Sequence, residues 1–227
     1  MLGDRLLIEA HHRRAAASLA DRIGDAAAAD GRPFILTIGG ESGSGKSEMA
    51  QALFDELTNR GRCSLILQQD DFYEHPPLTN ARRRREDITR VGPQEVRLDR
   101  MQRVIDEIRA GETSIDAPLI DYPADRIEGQ TIDVADVDVA IVEGTYTTML
   151  KHIDLRVFID RTFEETRADR RERRREAQDD FLERVLRIEH NIVGAHRAKA
   201  DVLITKDFHV IGGSAAESSM RDQTQRR

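Results

Sequence analysis

The sequence has little that would tie the protein to a membrane or to an oxidising compartment. Cys63 is the one cysteine among 227 residues, so no disulfide can form within the chain. No stretch approaches the ~20 consecutive apolar residues of a spanning helix, and charged residues occur throughout the first 30 positions, unlike a signal peptide. We therefore expect a cytoplasmic protein with no membrane partner, in which Cys63 is buried at the start of a strand.

Aromatic residues are scarce as well. The chain has no tryptophan, three tyrosines and seven phenylalanines, so its hydrophobic content of 39% must be mainly aliphatic. Acidic residues outnumber basic ones by 42 to 35, which gives a net charge of −7. This balance opposes general attraction to nucleic acid, and few rings are available to stack on bases. We expect no nucleic-acid partner, and any phosphate binding must be local.

Short apolar runs alternate with helical patterns along most of the chain. Continuous apolar runs are typical of buried parallel strands, and apolar residues at helical spacing mark the elements between them. This alternation predicts an α/β fold with a doubly wound parallel five-stranded sheet. The predicted strands are residues 34–38, 64–69, 137–143, 155–159 and 202–205, and the predicted helices are residues 2–29, 46–60, 98–108 and 162–200.

Two segments lack a clear period. Residues 70–90 contain two adjacent prolines and an arginine run, and we expect a long irregular excursion there. Residues 114–130 are expected to form an extended or turning connection. The chain then divides into an N-terminal helical segment (residues 1–30), one α/β domain (residues 31–210) and a flexible tail (residues 211–227).

A glycine-rich turn follows the first predicted strand and opens a helix. Its sequence fits G-x-x-x-x-G-K-[ST], and this strand–turn–helix context is the one that the motif requires. Glycines let several backbone N–H groups point at phosphate oxygens, and the helix adds its positive end. The motif predicts that Lys46 reaches the β and γ phosphates of ATP and that Ser47 ligates Mg²⁺. The predicted nucleotide-binding residues are Gly40, Glu41, Ser42, Gly43, Ser44, Gly45, Lys46 and Ser47.

Two acids end neighbouring predicted strands. Asp70 follows the second strand and Glu143 ends the third. Ligands of open parallel sheets bind beyond the carboxyl ends of the strands, which places both acids near the glycine turn. A carboxylate at Asp70 is suited to accept the proton of an attacking hydroxyl, and it is equally suited to cap a turn. Glu143 is a candidate for holding Mg²⁺ through water, with a solvated strand-end acid as the alternative.

Several segments resemble the uridine kinase and phosphoribulokinase family of P-loop kinases, from about residue 34 to residue 208. Residues 69–73 (QDDFY) are similar to the family's Q-D-S-F-Y, residues 141–144 (IVEG) to its I-x-E-G, residues 166–174 to its T-R-x-x-R-R-x-x-R, and residues 200–204 to its A-D-x-x-I. The resemblance implies a P-loop kinase fold with an arginine-bearing helical lid at about residues 162–180. It implies that Asp70 is the general base and that Glu143 works near magnesium. The lid arginines it implies are Arg167, Arg170, Arg171 and Arg174, of which Arg167, Arg171 and Arg174 join Asp70 and Lys46 in the predicted catalytic set.

Two departures from the family pattern weaken a pyrimidine nucleoside as the substrate. The family's P-x-Y-D-x-x-x-H segment contacts the pyrimidine through its tyrosine and histidine, and here Ile120 and Asp125 stand at or near those positions. The family's D-H-P, whose aspartate binds ribose, corresponds to residues 91–93 (VGP). The residues that we assign to the acceptor are Tyr73, Arg90, Asp121, Tyr122 and Arg170.

These features together predict a kinase that uses ATP and Mg²⁺ and transfers the γ-phosphoryl group to a hydroxyl of a small molecule, similar to a uridine kinase. Arg90 and the run at residues 82–85 raise the alternative of an anionic sugar, polyol or other metabolite as acceptor, although solvated loop charge is the interpretation we favour. A regulatory ATPase with no acceptor is the other alternative, and it leaves Asp70 and the lid arginines without a role. Because family members often assemble, a homo-oligomer is also an expectation.

Overall fold

The structure, a computed structural model, describes residues 6–24, 31–168, 170 and 179–212. Within these ranges the chain forms five α-helices and two sheets. The helices are α1 (Ala10–Ile23), α2 (Lys46–Asn59), α3 (Pro77–Glu86), α4 (Leu98–Ala110) and α5 (Asp180–Val193). The strands are β1 (Phe34–Gly40), β2 (Ser64–Gln68), β3 (Ser114–Asp121), β4 (Arg126–Asp133), β5 (Val139–Glu143), β6 (Leu155–Ile159), β7 (Val202–Ile204) and β8 (Val210–Gly212).

The main sheet has the strand order β2-β5-β1-β6-β7-β8. Its first five strands are parallel, which confirms the predicted five-stranded parallel sheet, and β8 adds a sixth strand antiparallel to β7. No sequence pattern indicates β8, because three residues are too few to show a period, and this strand includes residues 211 and 212, which were assigned to the tail. In the register of the sheet, Ile38 and Gln68 both pair with Glu143, so β1, β2 and β5 end in one row.

Helices cover both faces of this sheet, because alternate residues of each strand point to opposite sides. On one face, α1 and α2 pack against the even-numbered residues of β1, such as Leu36 and Ile38. On the other face, α4 packs against Ile35 through Met101 and Ile105. Among the described residues, the helices all fall short of the length and apolar character needed to cross a bilayer.

The structure differs from the predictions in four parts of the chain. Residues 77–86 form helix α3 within the segment expected to be irregular, and residues 114–133 form the antiparallel hairpin β3–β4 where a connection was expected. Cys63 is exposed, and the expectation of a buried thiol was wrong because Cys63 precedes β2, which is the edge strand of the main sheet. The predicted helix over residues 162–200 is α5 together with a 3-10 helix at Gly194–Lys199, and residues 169 and 171–178 lie outside the described ranges.

Candidate active site

The glycine turn joins the end of β1 to the start of α2. Its glycines adopt positive φ angles of +152° at Gly40, +79° at Gly43 and +98° at Gly45, a region that side chains disfavour. A Cβ built on Gly43 would lie 2.8 Å from Cγ of Arg170. Lys46 Nζ donates to the Glu41 carbonyl oxygen at 2.9 Å, so the lysine side chain folds back over the turn. The turn has the cradle shape and the helix N-terminus that phosphate groups bind.

Ser47 and Glu143 meet beside this turn. The Ser47 hydroxyl donates to Glu143 Oε1 at 3.1 Å. Burial raises the pKa of Glu143 to about 7, the nearby charge of Asp70 raises it too, and Lys46 opposes both effects. A hydroxyl and a carboxylate side by side are hard oxygen donors, which suits Mg²⁺.

Asp70 lies one strand away, in the 3-10 turn Gln69–Phe72 that follows β2. Burial raises the pKa of this carboxyl group, and the positive charge of Lys46 counteracts the shift. Gly144 adopts φ +155°, and a Cβ there would lie 2.2 Å from the Cβ of Gln69. This close approach of the β5 end to the 3-10 turn explains the glycine that follows Glu143 and holds the two acids at the same edge of the sheet.

Asp71, next to Asp70, makes a different contact. Its Oδ1 accepts the backbone N–H of Ile120 in β3 at 2.9 Å, and its side chain is buried. Asp71 therefore attaches the β3–β4 hairpin to the main sheet, whereas Asp70 faces open volume. The role of Asp70 as general base stays a prediction, and the structure shows only that Asp70 lines a cavity whereas Asp71 bonds to the hairpin.

A cavity of about 460 Å³ lies at the carboxyl ends of the strands. The glycine turn forms one end of it, and α3, the tip of β3 and the stretch of α5 up to Glu189 form much of the rest. Its volume suits a small ligand. The predicted site residues that line it are Ser42, Gly43, Gly45, Lys46, Ser47, Asp70, Tyr73, Tyr122, Glu143 and Arg170.

Other predicted residues do not line this cavity. Arg90 is exposed, with Nε 3.9 Å from Asp87 Oδ2. Asp121 accepts the backbone N–H of Ala124 at 3.1 Å and so stabilises the hairpin turn. Arg167 is exposed and donates to Glu183 at 2.8 Å. The roles assigned to these three remain predictions, and Arg171 and Arg174 lie outside the described residues.

Comparison with known proteins identifies the family. The model of the Phosphoribulokinase / Uridine kinase family matches residues 35–187, well over half of the chain. The chain belongs to this family. Its members are P-loop kinases, and the fold, the glycine turn and the paired acids described above agree with that membership.

The relatives and solved structures that resemble this chain are named for different substrates. A uridine kinase of Ureaplasma parvum is 30% identical over 132 residues, which cover 56% of this chain and 62% of the relative, so the match spans less than two thirds of that protein. A solved structure of a possible uridine kinase from Bacillus stearothermophilus has a TM-score of 0.62 at 18% identity and covers 84% of this chain and 97% of its own. A solved structure of a D-glycerate 3-kinase from Cryptococcus neoformans has a TM-score of 0.60 at 11% identity, and the match covers 90% of this chain and 98% of that one. At such identities the two structures show a shared fold and leave the acceptor open.

Helix α5 contacts the glycine turn directly, a feature that no sequence pattern indicated. The Ser42 hydroxyl donates to Glu189 Oε2 at 2.9 Å. Glu41 Oε1 lies 2.7 Å from His190 Nδ1, and Glu41 Oε2 accepts the N–H of Phe163 at 2.7 Å. Glu41 and Ser42 occupy variable positions of the motif, and their partners are almost 150 residues away, so no local pattern indicates these pairs.

Arg170 is the one predicted lid arginine that the described residues place at the turn. Its side chain is buried against Gly43. Its Nη1 donates to the Phe163 carbonyl oxygen and, at 2.7 Å, to the Thr166 hydroxyl. The aliphatic part of the Arg170 side chain therefore lies against the turn, its guanidinium group is oriented by Phe163 and Thr166, and its role at phosphate stays a prediction.

The back of the turn packs against aromatic rings from distant elements. A Cβ on Gly45 would lie 3.1 Å from Cζ of Phe208 and 3.5 Å from Nε2 of His12. The rings of His12 and Phe208 have centroids 4.6 Å apart. Helix α1 thus supports the turn from behind, a contact that the amphipathic pattern of the N-terminal segment did not reveal.

Proposed function

We propose that this kinase uses ATP and Mg²⁺ to phosphorylate a hydroxyl group of a small molecule. The observation that carries the proposal is the single cavity that holds the phosphate turn at one end and the Asp70 carboxylate on its wall. An enzyme that only hydrolysed ATP would need the turn and a water, and the volume beyond Asp70 would have no use.

The residues around the turn divide the work between them. Lys46 and the backbone of the turn bind the β and γ phosphates, and Arg170 stands where it can compensate the charge of the transferring group. Ser47 and Glu143 would hold Mg²⁺, which supplies charge neutralisation on the phosphate oxygens. Residues 162–180 are proposed as the lid that covers the transfer, including Arg167, Arg171 and Arg174.

Asp70 is proposed as the general base for the acceptor. The acceptor oxygen forms a bond to the γ phosphorus while the bond between that phosphorus and the β,γ-bridging oxygen breaks. The proton of the hydroxyl moves to the Asp70 carboxylate, and ADP leaves with the bridging oxygen. Partial burial raises the pKa of Asp70, which makes its carboxylate a better proton acceptor than an exposed one.

A regulatory ATPase is not favoured by these contacts. It would leave the wall of the cavity formed by α3, Tyr122 and α5 without a ligand, although the arginines there are hydrogen-bonded to acids. The names of the relatives, uridine kinase and D-glycerate 3-kinase, support an alcohol acceptor in general and leave its identity open.

A screen of ADP release tests the proposal. The protein is mixed with ATP and Mg²⁺, and nucleosides, sugars, polyols and their acid derivatives are added one at a time. We expect at least one compound to stimulate ADP release and to be recovered as a phosphate ester. ADP release that no compound stimulates, with inorganic phosphate as the product, would overturn the proposal in favour of the ATPase.

A further inference from the structure

The acceptor side of the cavity contains two arginines of helix α3. Arg84 and Arg85 line the cavity, whereas the other two arginines of the run at residues 82–85 do not. Two free guanidinium groups here would indicate a carboxylate or phosphate on the acceptor. Whether they are free depends on their partners.

Arg84 is already paired with buried carboxylates. Its Nε and Nη2 donate to the two oxygens of Glu95 at 2.7 and 2.8 Å, and Nη2 lies 3.4 Å from Glu189 Oε1. The side chains are 15%, 5% and 6% exposed for Arg84, Glu95 and Glu189. One buried positive charge therefore stands between two buried negative charges, and an anionic ligand would add a third.

Glu95 cannot easily turn away to free Arg84. Its Oε1 also accepts the side-chain amide of Asn80 at 3.0 Å, and its Oε2 accepts the backbone N–H of Gly92 at 3.0 Å. Four hydrogen bonds thus fix this carboxylate. Breaking the Arg84–Glu95 pair would leave an uncompensated buried charge, which is unfavourable in free energy.

Arg85 is compensated as well. Its Nη2 donates to Asp179 at 2.7 Å, and its guanidinium carbon lies 4.5 Å from the centre of the Phe181 ring. On the acceptor side of the cavity, the lining groups with a formal charge are Arg84, Arg85, Asp70, Asp179 and Glu189, which sum to −1 before Glu95 is added, and His75 is a further titratable lining group. The other cationic lining residues, Lys46 and Arg170, stand at the phosphate turn.

The remaining wall offers apolar surface and neutral polar groups. Ile120, Leu182 and Leu186 provide aliphatic contacts, and Tyr73 and Tyr122 bring phenol groups. In the described part of the chain, Arg84 Nη1 makes no hydrogen bond, so it retains N–H groups for a hydroxyl or carbonyl oxygen. Such a mixture binds a ligand with hydroxyl groups and an apolar face.

We propose that the acceptor is an uncharged polyhydroxy compound, and that Glu95 determines this specificity by neutralising Arg84. The inference rests on the proposed kinase function and narrows its acceptor class. It argues against the anionic acceptor that the arginine run raised. Arg84 acts as an oriented hydrogen-bond donor, and Glu95 is a positioning residue that acts through it.

Acceptor pairs in which one member carries an added carboxylate or phosphate and keeps the other hydroxyls test the proposal. Suitable pairs are uridine and orotidine, glucose and glucuronate, glycerol and glycerate, and ribulose and ribulose 5-phosphate. In the pair that contains the best substrate, we expect kcat/KM of the neutral member to exceed that of the anion by about 100-fold, the scale of the penalty for leaving one buried polar or charged group unsatisfied. A higher kcat/KM for the anion would overturn the inference and leave the kinase function intact. No phosphorylation of any compound would overturn the proposed function, and this inference with it.

Two variants test the role of Glu95. Glu95→Gln leaves Arg84 less compensated, and we expect the anion-to-neutral ratio of kcat/KM to rise by about tenfold with KM for ATP unchanged. Arg84→Met should raise KM for the neutral acceptor by about tenfold without any gain for the anion. Arg82→Met, in the same run but exposed and outside the cavity lining, is the matched control. Unchanged selectivity in folded Glu95→Gln, or an unchanged KM in Arg84→Met, would contradict the assignment.

Discussion

Asp70 and Asp71 show at the scale of single residues how neighbours of the same type acquire different roles. The backbone of the 3-10 turn directs Asp70 to the cavity and Asp71 to the Ile120 N–H of the hairpin. The same chemical change at the two positions should therefore have different consequences. This makes the pair a built-in control for the proposed general base.

Replacing Asp70 with asparagine removes the proton acceptor and keeps the shape of the side chain. We expect kcat to fall by about 100-fold, the usual scale for loss of a general base, with the Kd for ATP within a few-fold of its original value. Asp71→Asn keeps a carbonyl oxygen for the Ile120 N–H, so its kcat should stay within about threefold. Equal loss in both variants, measured by steady-state ADP release, would remove Asp70 from its role.

Glu143 gives a prediction about pH at the same scale. Its pKa of about 7 in the fold lies above the ordinary 4.5 of the carboxyl group. The protonated form therefore stabilises the fold, and this contribution is complete below about pH 4.5 and is lost as pH rises through about 7. Glu143→Gln stays neutral at every pH. Without metal, the variant should match the original protein near pH 4.5 and exceed its unfolding free energy at pH 8 by roughly 1–3 kcal/mol.

Urea unfolding in EDTA at the two pH values measures this difference. Glu112→Gln, a change at an exposed glutamate, is the control and should show no such pH-dependent gain. If the difference in unfolding free energy between Glu143→Gln and the original protein were the same at both pH values, the pKa of Glu143 would not be raised by its surroundings.

At the scale of elements, helix α3 depends on a residue from the hairpin. Asp125 accepts the backbone N–H groups of Leu78 and Thr79 at 2.7 and 3.2 Å, so it caps the N-terminus of α3 from the β3–β4 turn. Its φ of +48° lies in the left-handed region, which aspartate and asparagine tolerate better than other side chains. The position that departs from the family's histidine therefore has a structural role here.

Asp125→Ala should remove the cap and strain the turn. We expect a loss of about 1–2 kcal/mol of unfolding free energy, and a few-fold higher KM for the acceptor because α3 bears Arg84. Asp125→Asn keeps one accepting oxygen and the tolerated backbone conformation, so its loss should be smaller. Equal stability of the alanine variant and the original protein in urea unfolding would contradict the capping role.

This dependence on distant partners also explains which elements could be predicted. The five parallel strands are continuous apolar runs, and their pattern was sufficient to identify them. Helix α3 is almost entirely polar, begins at Pro77 and is stabilised by Asp125 and Glu95, which lie outside it. Helical periodicity could not indicate it, because the contacts that stabilise it are not local.

At the scale of the whole molecule, one part of the candidate site could be predicted from the sequence and another part could not. Lys46, Ser47, Asp70 and Glu143 follow strand ends within recognisable motifs, and parallel register brings them to one edge. Arg84 and Glu189 are 105 residues apart in sequence. Their helices, α3 and α5, meet only because the chain packs both of them over that edge. Motif spacing predicts the end of the cavity at the glycine turn, and only the assembled fold reveals the wall formed by α3 and α5.

A crystal structure with a nonhydrolysable ATP analogue and Mg²⁺ would test the proposed kinase site. We expect the β and γ phosphates to occupy the turn at residues 40–47, with Lys46 Nζ released from the Glu41 carbonyl oxygen and bound to them at about 3 Å, and Asp70 facing the terminal phosphate across the cavity. A triphosphate bound elsewhere, or an Asp70 carboxylate turned away from the terminal phosphate, would contradict the proposal.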